Sequence, residues 1–193
     1  MIKETYFPTS IYAENLNVDN EKLASSILKI KKEDPEGIYR SNVGDAYHSK
    51  QDLHLLPEFF EIRDLIFNTC LEIKKEQKII TNISMVNLWA NVNDKGGSND
   101  IHTHGNSFFS GVYYVKTPEN SGPIRFLDPR PQVETIIPER KINDLHRDDW
   151  SKVQFKPVPG MVVIFPSYLP HQVFPNKSEE HRISMSFNII LKL

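Results

Sequence analysis

The sequence has little cysteine, no long apolar run and no strong net charge. Its single cysteine, Cys70, cannot form an internal disulfide, so nothing indicates an oxidising compartment. No stretch approaches the roughly 18 apolar residues that predict a membrane-spanning helix. The formal net charge of −2 disfavours a nucleic acid as the main partner. The first residues lack the pattern of a secretory signal, so we expect a cytoplasmic protein with no membrane partner.

Hydrophobic periodicity divides the chain near residue 80. Residues 17–33 and 57–78 carry apolar side chains at helical spacing. Asp19 or Asn20 is a candidate cap for the first of these helices, and Asp34-Pro35 is a candidate stop. Both segments therefore predict amphipathic helices that cover a sheet.

After residue 80 the period changes to two. Short segments rich in β-branched and aromatic residues, mostly bounded by Gly, Pro, Asn or Asp, predict strands at 83–92, 107–116, 122–128, 161–167 and 182–193. This pattern is typical of a barrel or sandwich. We predict one domain over 1–193 that is mainly β, and α+β by content. It has a helical N-terminal part (1–80) packed outside a β core (81–193).

His102-Thr103-His104 is the first candidate site. In an extended segment the side chains at i and i+2 point to the same side, so the two imidazoles can grip one metal ion. Two solvated loop histidines are a slightly better interpretation of this short motif taken alone.

A second candidate site follows the apolar segment that ends in Pro166 and Ser167. His171 comes directly after this segment, and Arg182 begins the last predicted strand. Alternation places Arg182, Ser184 and Ser186 on one face, where a guanidinium fork and two hydroxyls are suited to bind a carboxylate. A surface arginine on an exposed strand face is the plain alternative.

The strand predicted at 107–116 adds two hydroxyls to the same argument. Ser110 and Tyr114 share one face of it, so both can contribute donors to the same anion. Tyrosine in a strand is more often a core residue than a ligand, which leaves this indication weak when it is taken alone.

Over residues 83–193 the ordered motifs resemble those of a 2-oxoglutarate–Fe(II) oxygenase family of small, largely uncharacterised proteins, with a more distant likeness to prolyl and aspartyl hydroxylases. The motifs are H-x-H-x-N-S-F-F-S-G-V-Y-Y-V, G-x-I-x-F-x-D-P-R-P, P-G-M-V-V-I-F-P-S-Y-L-P-H and R-I-S-M-S-F-N. The resemblance implies a double-stranded β-helix, or jelly-roll, core. It also implies a non-haem Fe(II), 2-oxoglutarate-dependent dioxygenase that hydroxylates a substrate with molecular oxygen.

The resemblance also implies roles for individual residues. His102 would be the proximal iron ligand and His171 the distal one. Arg182 would bind the far carboxylate of 2-oxoglutarate, and the neighbouring candidates for cosubstrate contacts are Tyr114, Ser110, Ser184 and Asn91.

The proximal motif departs from the superfamily pattern. Where H-x-D or H-x-E is usual, this chain has His104, so we predict a three-histidine metal site of His102, His104 and His171. Two alternatives stay open: His104 with Asn106 as an H-x-N pair, or a carboxylate from Asp100 or Asp128.

Two other functions remain open at this stage. One is a three-histidine cupin dioxygenase that uses no 2-oxoglutarate, and the other is a non-enzymatic metal-binding jelly-roll module. The substrate is not identified by any motif, and a homodimer is neither indicated nor excluded. We interpret Trp89 as a core or barrel-wall residue, the charged segment 138–152 as a solvated loop, and the remaining histidines as solvated: His48, His54, His146 and His181.

Overall fold

The computed structural model describes residues 1–130, 132 and 151–192. Over these residues the chain forms two α-helices and eleven β-strands, which we number in chain order. His146 and nearly all of the charged segment 138–152 lie outside the described residues. No helix among the described residues has the length and hydropathy needed to cross a membrane.

Both predicted helices are confirmed. α1 spans Asn20–Glu33, and the Asp19 side chain caps it by accepting a hydrogen bond from the Lys22 amide at 3.0 Å. Asp34 ends it. α2 spans Phe60–Glu76 and follows two short 3₁₀ turns, Leu53–Leu55 and Pro57–Phe59.

The strands form two antiparallel sheets. The six-stranded sheet has the order β1-β9-β6-β11-β4-β3. Its strands are β1 (Tyr12–Asn15), β3 (Ala46–His48), β4 (Asn82–Asn93), β6 (Phe109–Lys116), β9 (Met161–Pro166) and β11 (Arg182–Lys192). The five-stranded sheet has the order β2-β5-β10-β7-β8. Its strands are β2 (Asn42–Val43), β5 (Ser98–His102), β7 (Ile124–Leu127), β8 (Lys152–Phe155) and β10 (His171–Val173).

Two apolar cores flank the larger sheet. Alternate residues of its strands, such as Ile164 and Phe187, pack against α1 and α2. The intervening residues, such as Val163 and Phe165, pack against Phe126 of the smaller sheet. The helices thus cover the outer face while the inner face looks into the space between the sheets. This arrangement confirms the predicted mainly β fold with helices outside.

The first 80 residues also contribute three strands that the sequence pattern did not show. β1 pairs with β9, β3 pairs with β4, and β2 pairs with β5. Each is two to four residues long, too short to establish a period of two. Through these pairings the N-terminal part contributes strands to both sheets. The organisation of 1–193 as one domain stays a prediction.

Candidate active site

His102 and His171 face each other across two neighbouring strands. His102 is the last residue of β5 and His171 is the first of β10, and their Cα atoms are antiparallel partners. Their ring centroids are 4.3 Å apart. Residues paired directly across an antiparallel ladder bring their side chains into contact, so strand pairing alone places these two imidazoles together.

His104 completes the cluster from the loop after β5. Its amide donates to the carbonyl of Ser167 at 2.9 Å, which ties the loop to the end of β9. Its Nε2 lies 3.3 Å from Nε2 of His171. One nitrogen of each of the three histidines lies within 4.8 Å of the others, a spacing that suits three ligands of one metal ion.

Hydrogen bonds orient two of the rings. His102 donates from Nδ1 to the carbonyl of Asp100 at 2.6 Å, and His171 donates from Nδ1 to the carbonyl of Leu169 at 2.9 Å. In the neutral rings Nε2 is therefore the nitrogen with the free lone pair. Metal-binding histidines are commonly held in this way by backbone carbonyls.

The three imidazoles are held in their neutral, metal-binding form. Burial, followed by the repulsion that a second protonated ring would meet from His102, lowers the pKa of His104 to about 4 and that of His171 to about 3. Burial also lowers the pKa of His102. At neutral pH an incoming cation meets three lone pairs and displaces no proton from His104 or His171.

No carboxylate belongs to this cluster among the described residues. Asp100 is exposed, and Asp128 is engaged by Arg130 through bonds of 3.0 and 2.8 Å. Asn106 is also exposed, with a φ of 56°, and is not part of the cavity wall. The structure thus brings together His102, His104 and His171, and none of the alternative ligands.

Arg182 lies in the wall of the same cavity, which has a volume of about 520 Å³ and opens beside the histidines. Its side chain is 1% exposed. Nη1 donates to the carbonyls of Gly122 and Phe174 at 3.2 and 2.9 Å and also to that of Ser121, whereas Nη2 has no partner among the described residues. Burial lowers the pKa of Arg182 to about 10, so the group stays charged at neutral pH.

A buried guanidinium with one unsatisfied nitrogen is suited to bind an anion. An unpaired buried charge is costly, and within the described residues Arg182 makes no ion pair with an acidic side chain. Three neutral imidazoles and a guanidinium therefore line one cavity between two β-sheets.

A family model described as "Putative 2OG-Fe(II) oxygenase" matches residues 87–188, more than half of the chain. The chain belongs to the 2OG-Fe(II) oxygenase family. It is accordingly an iron(II)- and 2-oxoglutarate-dependent oxygenase, whose co-reactants are molecular oxygen and a substrate. The matched span begins in β4, ends in β11 and contains all three histidines and Arg182.

Solved structures share the fold at low identity. A prolyl-4-hydroxylase from Pseudomonas putida aligns with TM-score 0.63 and 12% identity over 96% of this chain and 94% of that one. The collagen prolyl hydroxylase of Paramecium Bursaria Chlorella virus-1, solved with 2-oxoglutarate, aligns with TM-score 0.59 and 15% identity over 93% of this chain and 94% of that one. HygX from Streptomyces hygroscopicus, solved with nickel and 2-oxoglutarate, aligns with TM-score 0.59 and 9% identity over 96% of this chain and 84% of that one.

These likenesses confirm the predicted double-stranded β-helix core. No functionally curated protein has a matching sequence.

The donor set of this oxygenase fits both of its cofactors. Imidazole nitrogens bind iron(II) well, and the orphaned Nη2 of Arg182 is an unfilled donor for a carboxylate. The cavity is large enough for a five-carbon dicarboxylate and for part of a second molecule.

The remaining predicted residues divide into two groups. Tyr114, Ser184 and Asn91 line the cavity with Arg182, and the Asn91 amide donates to the Ser186 hydroxyl at 3.1 Å. Ser110 does not line the cavity. Its hydroxyl is buried behind the wall, 2.7 Å from the Ser167 hydroxyl and 2.8 Å from Oδ1 of Asn188.

Sequence reasoning missed part of the wall. His48 was interpreted as solvated, which is wrong, because it is 4% exposed and lies in the cavity wall. Its ring stacks on Trp89 at 5.3 Å, and Trp89 stacks on His104 at 5.9 Å. His54 is partly buried rather than solvated, whereas the side chain of His181 is 45% exposed.

Asn93 is a second missed residue. It is 1% exposed, lines the cavity and is the cross-strand partner of Arg182, yet neither polar atom of its side chain has a partner in the described part of the chain. The signal in the sequence was its place in β4, two residues after Asn91 and therefore on the same face.

Proposed function

We propose that His102, His104 and His171 hold the iron of this oxygenase, that Arg182 binds the distal carboxylate of 2-oxoglutarate, and that the enzyme hydroxylates its substrate. The observation that carries this proposal is the unpartnered Nη2 of Arg182, buried in the same cavity wall as the histidines. A metal-binding module alone would have no use for a buried, unpaired guanidinium.

Arg182 is suited to fix the cosubstrate at its far end. Three backbone carbonyls hold its Nη1, so the guanidinium is pre-organised and loses little freedom when it pairs with a carboxylate. The side chains of Asn93 and Ser184 lie next to it along β4 and β11, and both carry hydrogen-bond donors. We assign Asn93 to the cosubstrate because no residue that the structure describes satisfies its amide.

The three histidines are suited to bind one face of a metal ion and to leave its other face open. The chemistry that bound iron(II) and 2-oxoglutarate supply is oxygen activation coupled to oxidative decarboxylation. In the balanced reaction a substrate C–H bond becomes C–OH with one oxygen atom, and 2-oxoglutarate becomes succinate with the other and releases carbon dioxide. The chain contributes fixed ligands, a fixed carboxylate partner and a wall that excludes water, formed in part by Val112, Ile124 and Phe165.

The two alternative functions lack this support. A three-histidine cupin dioxygenase without 2-oxoglutarate would also need the imidazoles, but it would leave Arg182 buried and unpaired at a cost of several kcal/mol or more. A zinc-holding module would leave the same charge unexplained.

The test is an anaerobic titration of the apoprotein, first with iron(II) and then with 2-oxoglutarate. We expect the visible charge-transfer band of the metal–2-oxoglutarate chelate to appear only when both are present. His171→Ala should abolish the band because it removes an iron ligand.

Two outcomes would count against the proposal. Tight iron binding without a band would favour the cupin alternative. A band that survives in His171→Ala would show that iron binds elsewhere. The matched control is His54→Ala, which should keep the band because His54 lies outside the cavity wall.

A further inference from the structure

The charged residues that line the cavity all carry the same sign. Among the described residues of the wall they are Arg182 and Arg40, and no Asp or Glu is present. The chain as a whole is slightly acidic, so this local excess of positive charge is not a reflection of composition. Arg182 lies deep in the wall, whereas Arg40 is exposed at the mouth.

Arg40 is held in place next to the strand that carries His102. Its amide donates to Oδ1 of Asn42 at 2.7 Å, and the next carbonyl, that of Ser41, accepts from the Asp100 amide at 2.9 Å. β2 then pairs with β5. The backbone of Arg40 is therefore fixed relative to the histidine cluster rather than carried on a free loop.

Among the residues that the structure describes, none pairs with the guanidinium of Arg40. It forms no ion pair and no side-chain hydrogen bond within the described part of the chain, unlike Arg63, Arg125 and Arg130. Its charge is close enough to His48 to contribute, after burial, to the lowered pKa of that imidazole. His48 is consequently neutral, which leaves Arg40 as the cation at the mouth.

The charges do not balance when the cofactors of the proposed function are added. The charges of a divalent iron ion and of a dicarboxylate cancel, and three imidazoles contribute none. If a carboxylate stood in place of His104, as in the usual H-x-D or H-x-E pattern, the net charge of the cavity would be one unit less positive. The net positive charge of the two arginines thus remains, and because Arg182 pairs with the cosubstrate, Arg40 is the cation of the wall that has no counter-charge.

We propose that the substrate carries an anionic group, a carboxylate or a phosphate, which Arg40 binds at the mouth of the cavity. This inference rests on the proposed function. The planar fork of arginine matches both groups bidentately. The reacting part of the substrate then lies beside Trp89 and the histidine cluster, in the space that 2-oxoglutarate leaves free.

The test uses inorganic phosphate as the probe and the Mn(II)·2-oxoglutarate form of the full chain. Paramagnetic relaxation of the ³¹P signal measures phosphate bound close to the metal. We expect saturable relaxation enhancement with phosphate and none with neutral trimethyl phosphate. Arg40→Gln should weaken phosphate binding roughly tenfold or more. Lys29→Gln, which removes the same charge from α1 on the far side of the larger sheet, should change nothing.

Each other result has a defined meaning. Equal enhancement in the wild type and in Arg40→Gln, enhancement by trimethyl phosphate, or no enhancement by phosphate would overturn the inference. These results do not contradict the proposed function if the wild type and Arg40→Gln both still give the iron–2-oxoglutarate charge-transfer band. Absence of that band from the wild type would instead overturn the proposed function and this inference with it.

Discussion

His171 is the direct antiparallel partner of His102, and the two rings lie 4.3 Å apart between β10 and β5. The pairing register shifts immediately after this pair, between His171 and Val173. A slip of one residue would turn one of the two imidazoles to the opposite face of the sheet. The geometry of the metal site therefore depends on the register of two short strands.

His104→Ala should weaken iron(II) binding by more than the ~10–100-fold that loss of a supporting hydrogen bond costs, because it removes a ligand. Isothermal titration under anaerobic conditions measures the affinity. Asn106→Ala is the matched control and should bind iron as the wild type does. A large loss in Asn106→Ala with little change in His104→Ala would favour the H-x-N arrangement instead.

Arg182→Lys should weaken 2-oxoglutarate binding roughly 10–100-fold and leave iron affinity unchanged. Lysine keeps the charge but loses the bidentate fork. The 2-oxoglutarate dependence of the charge-transfer band gives the affinity. Arg125→Lys alters an arginine of β7 that stacks on Phe174 outside the cavity wall, and it should have no such effect. Equal effects in both variants would contradict a specific role for Arg182.

Asn93→Leu should have opposite effects on stability and on cosubstrate binding. The side chain has a similar size, and the amide that it replaces is buried with no partner among the residues described, so the free energy of unfolding of the ligand-free protein should stay the same or rise. Affinity for 2-oxoglutarate should fall about five- to tenfold, the effect of one lost hydrogen bond. Chemical denaturation and the charge-transfer titration measure the two effects. A destabilised protein with unchanged affinity would make Asn93 merely structural.

Gly111→Ala should destabilise the fold by about 1–3 kcal/mol. A Cβ at this position would lie 2.2 Å from Cζ of Phe187 on the neighbouring strand and 2.7 Å from the carbonyl oxygen of Val163. Gly105→Ala is the control, since a Cβ there meets nothing within 4 Å. Urea denaturation compares the two, and equal stability of both variants would contradict the close approach of Phe187.

Asp94→Asn should destabilise the protein at neutral pH by about 1 kcal/mol. Burial alone would raise the pKa of Asp94, but Lys31, at 2.8 Å, and His181 outweigh it, and the pKa is lowered. A lowered pKa gives stability that is present above the unfolded value of about 3.9 and is lost as the pH falls through the folded value.

The difference between the wild type and Asp94→Asn should therefore shrink below about pH 4. Urea denaturation at several pH values checks this. A constant difference would mean that the variant acts through packing rather than through charge.

Local pattern was enough to predict the long elements of the fold. α1, α2 and the five strands β4, β6, β7, β9 and β11 were predicted, because each carries its own period of apolar residues. The same alternation placed Arg182 and Ser184 on the inner face of β11. It could not tell that Ser110 lies behind Asn188 rather than at the surface of the cavity, because that depends on how the neighbouring strands pack.

The sequence by itself determined the family, the mainly β core and the residue types that bind a metal and an anion. Only the tertiary structure decided how these residues meet. β2, β5 and β10 are too short to be recognised alone, and they exist because each finds a partner strand. Their pairing puts His102 beside His171 and Arg40 at the mouth of the same cavity. Periodicity is a property of neighbouring residues, whereas the register between strands is set by packing across the whole fold.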